Sequence, residues 1–192
     1  MPHKARVVTV EEREALLRDG RKVRLRPVKP GDGELFLGFL GGLSAKSRDF
    51  MHGWSQLRTR EHAESLALKT RSSDHGAVIA VPSTGAERIL GYCWLDGLHT
   101  STAPMLGIGV IDEAHEMGLG KVLLRTMMDH AGSLGIAHVR LGVWSDNARA
   151  VHVYRSVGFR DDPSFPPKDF DGRTELYLIV DTGARGTTPA SC

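Results

Sequence analysis

Cysteine is nearly absent from this sequence: 192 residues contain two, Cys93 inside an apolar run and Cys192 at the last position. That pair supplies neither a disulfide framework nor metal-ligand spacing, so a reducing compartment and no metal are expected. No apolar run approaches the roughly 20 residues that a membrane-spanning helix needs, and no membrane partner is expected. The opening Met-Pro-His-Lys soon becomes Glu-Glu-Arg-Glu, without the apolar stretch of a secretory signal, which makes a cytoplasmic location the expectation. Charge of one sign is missing too. The formal net charge is +2 with acids and bases interspersed, and no basic stripe of the kind a phosphate backbone requires is present, so nucleic acid is not expected as a partner.

What the sequence does have is an ordinary globular composition, 41% hydrophobic and 25% charged, in a length suited to one well-packed domain. The expected division is an N-terminal extension over 1–20, a folded domain over 21–182 and a mobile tail over 183–192 that lacks apolar anchors. Residues 1–20 read two ways, as a strand at Val7–Val10 or as two helical turns over Glu11–Leu17. Asp19-Gly20 suits a tight turn, and Val23–Pro27 alternates apolar with basic like an edge strand stopped by proline. Asp32 is placed to cap a helix carrying Leu35, Phe36, Phe39 and Leu40, and Ser44 to cap a second one reaching Met51 or Trp54. A short amphipathic helix follows at Glu61–Leu68. Strands are then expected at Ala77–Val81, Arg88–Leu95 and Met105–Ile111, a helix from Gly120 to Leu134 closed by Gly135, a strand at His138–Trp144, a short helix capped by Asp146-Asn147, and a last strand at Thr174–Val180. This order predicts an α/β (α+β) domain with a mixed, mostly antiparallel central sheet and helices on both faces.

The stretch His115-Glu116-Met117-Gly118-Leu119-Gly120-Lys121 joins the two clearest signals, the apolar strand before it and the amphipathic helix after it. A strand that turns through two glycines into a helix leaves free backbone N–H groups aimed beyond the strand's end, which is an anion site by geometry. It is not a P-loop, because Val122 follows Gly120-Lys121 and His115 stands where a glycine would begin the motif. It has no third glycine for a dinucleotide fingerprint. His115-Glu116 starts like a zinc-protease helix, but the second histidine position is Leu119.

Together with Asn147, Tyr154 and Gly158-Phe159 downstream, this pattern resembles the GNAT superfamily of acyl-CoA-dependent N-acyltransferases, from about Val23 to Val180. The opening Leu17-x-Asp19-Gly20 with Arg24-x-Arg26-Pro27 looks more narrowly like the acetyltransferase domain of bacterial protein-lysine acetyltransferases. The resemblance implies acetyl-CoA as cosubstrate, its pyrophosphate held by the amides of His115, Glu116, Met117, Gly118, Leu119, Gly120 and Lys121, with His115 replacing the family's Arg or Gln. It implies that Ile108 and Val110 bond the pantetheine arm, with the Val110 N–H as oxyanion donor; Gly107 and Gly109 are compatible with a bulge there and equally with close packing. Asn147 matches a residue that caps the short helix and contacts CoA. Tyr154 matches the tyrosine that protonates the departing thiolate, a reasonable donor at an ordinary phenol pKa of about 10. Asp112, Glu113 and Glu116 weaken the local potential, with Lys121 and Arg125 as compensation, while Arg18, Arg21, Lys22, Arg24 and Arg26 form a solvated strand face or meet an acidic partner.

One departure concerns the general base. Many members of the superfamily have a Glu early on the strand before the loop, and Met105 stands at that place. A lysine amine is only about one part in a thousand neutral at pH 7, roughly 4–5 kcal/mol of deprotonation to be supplied. Asp112, His99 and Asp96 are the substitutes, acting through water, and a less basic amine would ask less. The expected activity is direct transfer of acetyl to a primary amine, on a small molecule or on a protein lysine or N-terminus, by a monomer or homodimer. The alternatives are a longer acyl group and an acyl-CoA sensor that transfers nothing.

Overall fold

The computed structural model describes residues 10–51 and 59–183. Among the described residues nine strands form one sheet: β1 (Arg13–Leu16), β2 (Lys22–Pro27), β3 (His75–Pro82), β4 (Gly91–Asp96), β5 (Met105–Val110), β6 (His138–Trp144), β7 (Arg160–Asp161), β8 (Lys168–Phe170) and β9 (Arg173–Asp181). Five α-helices accompany them: α1 (Gly33–Gly41), α2 (Ala45–Asp49), α3 (Arg60–Leu68), α4 (Leu119–Ser133) and α5 (Ala148–Ser156). The strand order is β1-β2-β3-β4-β5-β6-β9-β7, with β8 pairing β9 beside this path. Every pairing is antiparallel except β5 with β6. The mixed, mostly antiparallel α/β architecture is the expected one.

Helices cover both faces. Gly91 on β4 lacks a side chain where Leu119 and Leu123 of α4 press on the sheet. Its neighbour Tyr92 points to the other face, where its ring meets Phe36 of α1 edge-on at 4.9 Å and Phe39 at 6.5 Å. That α1 stripe and the α4 stripe of Leu119, Leu123, Leu124, Met127 and Met128 are fully or nearly buried, so the 3.6-residue period is satisfied by a sheet face in each case.

The N-terminal region departs from expectation. The helical turns over 11–17 do not form; Arg13–Leu16 pairs with Lys22–Leu25 through a turn in which Leu17 N–H donates to Arg21 C=O at 2.8 Å and Gly20 takes φ +85°. The hairpin wins because Asp19-Gly20 fixes the turn and Leu17 is then buried. The strand option at Val7–Val10 lies, before Val10, outside the described residues, as do Trp54 and the tail beyond Gly183. With β1 beside it, β2 is an interior strand and not the edge. Asp32 occupies the N-cap position of α1 without a side-chain capping bond. Its carboxylate instead accepts from both terminal nitrogens of the buried Arg26, at 2.8 and 2.9 Å, and from Lys29 N–H at 2.7 Å. A desolvated guanidinium needs that partner more than a helix end open to water does. Ser44 caps α2 as expected, accepting from Ser47 N–H at 3.1 Å.

The feature that positions the site is the single ladder contact between β5 and β6, at Met105 and Arg140. Arg140 N–H donates to Pro104 C=O at 3.0 Å. Beyond that point β5 stays with β4 as far as Val110 and β6 stays with β9 as far as Trp144, so the two strands separate and the sheet is open between them.

Candidate functional site

A cavity of about 870 Å³ occupies this opening. It runs from the turn before α4, between β5 and β6, to the face beneath α1 and α2. Ile111 N–H donates to Leu90 C=O on the β4 side, at 3.0 Å. Alternation along the strand therefore turns the polar groups of Ile108 and Val110 away from β4 and toward the gap. The β4–β5 register is continuous, without the bulge that Gly107 and Gly109 suggested. Those glycines serve close packing: a Cβ on Gly107 would overlap the Trp94 ring, and one on Gly109 would meet Met51 and Phe39.

At one end, Gly118 is the N-cap of the 15-residue α4 with φ +84°, a left-handed conformation that favours glycine. No side chain caps this helix, and the first amide bonded back is Val122 N–H to Gly118 C=O. The N–H groups of Gly118, Leu119, Gly120 and Lys121 are thus open toward the cavity mouth, where the helix end is electropositive. Gly120 faces Val153 of α5, whose Cγ1 a Cβ on Gly120 would meet at 3.7 Å, an ordinary contact. His115 is half-buried. Its Nε2–H donates to Val110 C=O at 2.9 Å while Nδ1 accepts from Arg149 Nη1 at 2.6 Å. Burial first, and the Arg149 charge second, hold His115 below the ordinary histidine value, so it is a neutral brace between β5 and α5.

Of the residues expected to contact CoA, Ile108, Val110, His115, Glu116, Gly118, Leu119, Gly120, Lys121, Asn147 and Tyr154 line the cavity, and Met117 does not. Met117 turns back to the β1–β2 hairpin, its carbonyl accepting from Arg18 N–H at 3.1 Å and its sulfur meeting Arg21. This docking brings the Arg18 side chain over Gly118. Arg18 and Arg149 therefore join Lys121 at the loop, a charge contribution that sequence distance concealed. Glu113 is held by Arg88 at 2.5 Å, and Arg125 is exposed on α4 away from the cavity. The solvated strand face expected of Arg24 and Arg26 is instead a set of ion pairs with Glu12, Glu87 and Asp32.

Asn147 caps α5, accepting from Ala150 N–H at 3.3 Å, and it lines the cavity as well. Tyr154, on the buried face of α5, packs on Phe159 with centroids 5.8 Å apart. Burial, with a smaller push from Cys93, raises its phenol far above the ordinary value. It stays neutral across any working pH.

The base candidates fall elsewhere. Asp112 lies on a 3₁₀ turn outside the main cavity, in a smaller recess of about 280 Å³, and accepts from Ser44 N–H at 3.2 Å. Burial raises its pKa, but the bonds from Ser44 and Ser47 outweigh that and hold it below the usual carboxylate value. His99 is exposed in the loop after β4, where its N–H bonds Asp74 at 2.7 Å, and Asp96 is paired with His75 at 2.6 Å. Neither reaches the cavity, because the β4–β5 connection points away from it. Two residues with no motif signal are there instead: Glu175 and Tyr177 on β9, with Tyr177 O–H donating to Glu175 Oε2 at 2.7 Å. That bond first, and burial second, push the Tyr177 phenol up to about 12. Among the described residues no group of three His, Cys, Asp or Glu side chains is placed to hold a metal ion, and no helix is long and apolar enough to cross a membrane.

A family model described as Acetyltransferase (GNAT) family matches residues 43–159. The chain is 32% identical over 152 residues to a mycothiol acetyltransferase of Paenarthrobacter aurescens, covering 76% of this chain and 44% of that protein. It is 32% identical over 164 residues to the mycothiol acetyltransferase of Pseudarthrobacter chlorophenolicus, covering 81% of this chain and 48% of that one. The chain thus spans about half the length of these curated relatives, or less. Among solved structures, the fold is similar to the GNAT domain of S. lividans PAT, with a TM-score of 0.73 at 20% identity over 94% of this chain and 99% of that one. It is also similar to Mycobacterium smegmatis RimJ in complex with CoA-disulfide, with a TM-score of 0.72 at 16% identity over 88% and 86%.

Proposed function

Because the chain belongs to the GNAT family of acetyltransferases, we propose that it moves an acetyl group from acetyl-CoA to a primary amine by direct attack. The observation that carries this reading is the continuous cavity from the open amides of Gly118–Lys121 through the gap between β5 and β6. The residues present fit the cosubstrate. Open amides at a helix start, with Arg18, Lys121 and Arg149 around them, suit a pyrophosphate. The unpaired edge at Ile108 and Val110 suits an extended amide-bearing arm, which adds to β5 as a further strand would.

In this mechanism the Val110 N–H steadies the charge that develops on the thioester oxygen. His115 occupies the Val110 carbonyl and keeps that residue's orientation fixed. Tyr154 donates a hydrogen bond to the sulfur and passes on the proton that the attacking nitrogen releases, so no free tyrosinate forms. No covalent enzyme intermediate is needed: Cys93 is buried outside the cavity, and its thiol is pushed far up by burial.

The acceptor is an amine of modest size, entering on the side lined by Phe50, Met51, Trp94 and Met105. Since the matched curated relatives are named for mycothiol acetylation, an acceptor of that type belongs in the test panel with amino acids, polyamines and peptides. The experiment is release of free thiol from acetyl-CoA by the purified chain against such pools from pH 6 to 9. Turnover with one pool is expected. Saturable acetyl-CoA binding without turnover in any pool would replace this reading with an acyl-CoA sensor.

A further inference from the structure

Met105 removes a carboxylate from the strand where the superfamily pattern has one, yet the cavity still has a carboxylate on its acceptor side. Among the described residues only Glu116 and Glu175 bring carboxylates to the lining. Glu116 sits in the turn before α4, at φ +63°, beside the open amides. Glu175 is at the opposite side, on β9, and only 9% exposed.

Its route into the cavity depends on Gly142. In the β6–β9 ladder Glu175 lies opposite Trp144, and Gly142 lies opposite Tyr177. Residues two apart share a face, so Glu175 and Tyr177 point the same way. A Cβ placed on Gly142 would come within 2.2 Å of Glu175 Oε1. The missing side chain is therefore the space through which the carboxylate crosses β6 from its own strand to the gap. Tyr177 donates to its Oε2 at 2.7 Å, and Oε1 lies against Gly142. A buried carboxylate needs hydrogen bonds, Tyr177 supplies one of them, and the residue lines the cavity.

We propose that Glu175 is the general base of the transfer, with Gly142 and Tyr177 as its positioning residues, a role that rests on the acetyltransferase reading above. An N–H bond of the acceptor ammonium breaks and its proton goes to Glu175 Oε1, directly or through one water. The freed nitrogen pair forms the bond to the thioester carbon. When the C–S bond breaks, its electron pair stays on sulfur, and the second proton lost by nitrogen reaches sulfur by way of Tyr154. Glu175 afterwards releases its proton to solvent, so the sum is ammonium plus acetyl-CoA giving amide, CoA thiol and one proton. The loss of the strand carboxylate at Met105 then does not require a weakly basic acceptor.

The test measures thiol release between pH 6 and 9.5 with the best acceptor for the intact chain, Glu175→Gln, Glu175→Asp and Gly142→Ala, with acetyl-CoA affinity measured separately by calorimetry. For Glu175→Gln the expected result is a loss of about 10²–10⁴-fold in kcat/KM for the amine at pH 7, with acetyl-CoA affinity unchanged. That deficit should narrow as pH rises toward the amine's own pKa, because the amine then arrives neutral. Glu175→Asp should recover part of the rate, and Gly142→Ala should lower it while retaining the carboxylate. A Glu175→Gln rate equal to that of the unaltered chain, or a deficit of the same size at every pH, overturns the role as base. Failure of the unaltered chain to release thiol with any amine overturns the acetyltransferase reading and this role with it.

Discussion

The half of the cavity beside α4 and α5 is made mainly of near-consecutive residues and main-chain groups: His115, Glu116, Gly118 to Lys121 and the open edge of β5. The half beneath α1 and α2 is assembled from side chains far apart in the chain, Met51, Trp94, Met105, Glu175 and Tyr177. The first half offers N–H groups whose direction follows from backbone dihedrals, which suits a ligand shared by many enzymes. The second offers side-chain chemistry and changes with each substitution. A fold arranged this way keeps its donor while its acceptor diverges.

Exchange of the carboxylate between its two possible places tests the comparison hardest. In a Glu175→Gln background, Met105→Glu restores a carboxylate to the cavity from β5, at a residue already 41% exposed. At least tenfold of the lost rate should return in thiol-release assays, out of a deficit of about 10²–10⁴-fold. No recovery would mean that the acceptor half needs its carboxylate on β9 and nowhere else. Tyr154→Phe comes next. It should lower kcat by about a hundredfold, at the low end for a positioned proton donor, with acetyl-CoA affinity unchanged. Calorimetry beside steady-state kinetics separates the two.

Gly118→Ala acts on the donor half alone. Left-handed strain of about 1–2 kcal/mol should weaken acetyl-CoA roughly tenfold and leave the KM for the amine alone, as competition binding and amine titrations would show. A change in amine KM instead would break the separation of the halves. The smallest effect is expected for Arg149→Ala: a few-fold weaker acetyl-CoA binding at low ionic strength that fades in about 1 M salt, where charges are screened beyond about 3 Å. The same variant tests the histidine brace. The folded pKa of His115 lies below its unfolded value, so its share of stability is complete above about pH 6.5 and is lost as pH falls through the folded value. Removing Arg149 relieves part of that depression. Urea midpoints measured from pH 7.5 to 5 should therefore fall less steeply in the variant.

The donor half was legible because each of its signals is local. Gly118 needs its φ, Asn147 caps the helix that carries Tyr154, and the strand and helix periods on either side bracket the turn. Local signals misled where a tertiary partner outbid them. Asp32 reads as a cap and serves Arg26; Gly107 and Gly109 read equally as a bulge or as close packing, and contact with Trp94, Met51 and Phe39 decided for packing. Asp112 and His99 are close in sequence to cavity-lining elements, but their turns direct them out of the cavity. Glu175 had no signal, since a Glu in a strand flanked by Thr and Leu looks like any solvent-facing residue until Gly142 is set beside it.

By itself the sequence determined the strand–turn–helix with its open amides, the α5 cap with its tyrosine, the strand and helix order and the family to which they point, because hydrophobic period, capping and glycine φ act within a few residues. Tertiary structure alone decided that β1 docks Arg18 over the loop, that β5 and β6 part after one pairing, and that a carboxylate from β9 crosses Gly142 into the gap. Each of these depends on contact between segments from roughly 30 to 100 residues apart, whose juxtaposition follows from burying the whole sheet and not from any local preference.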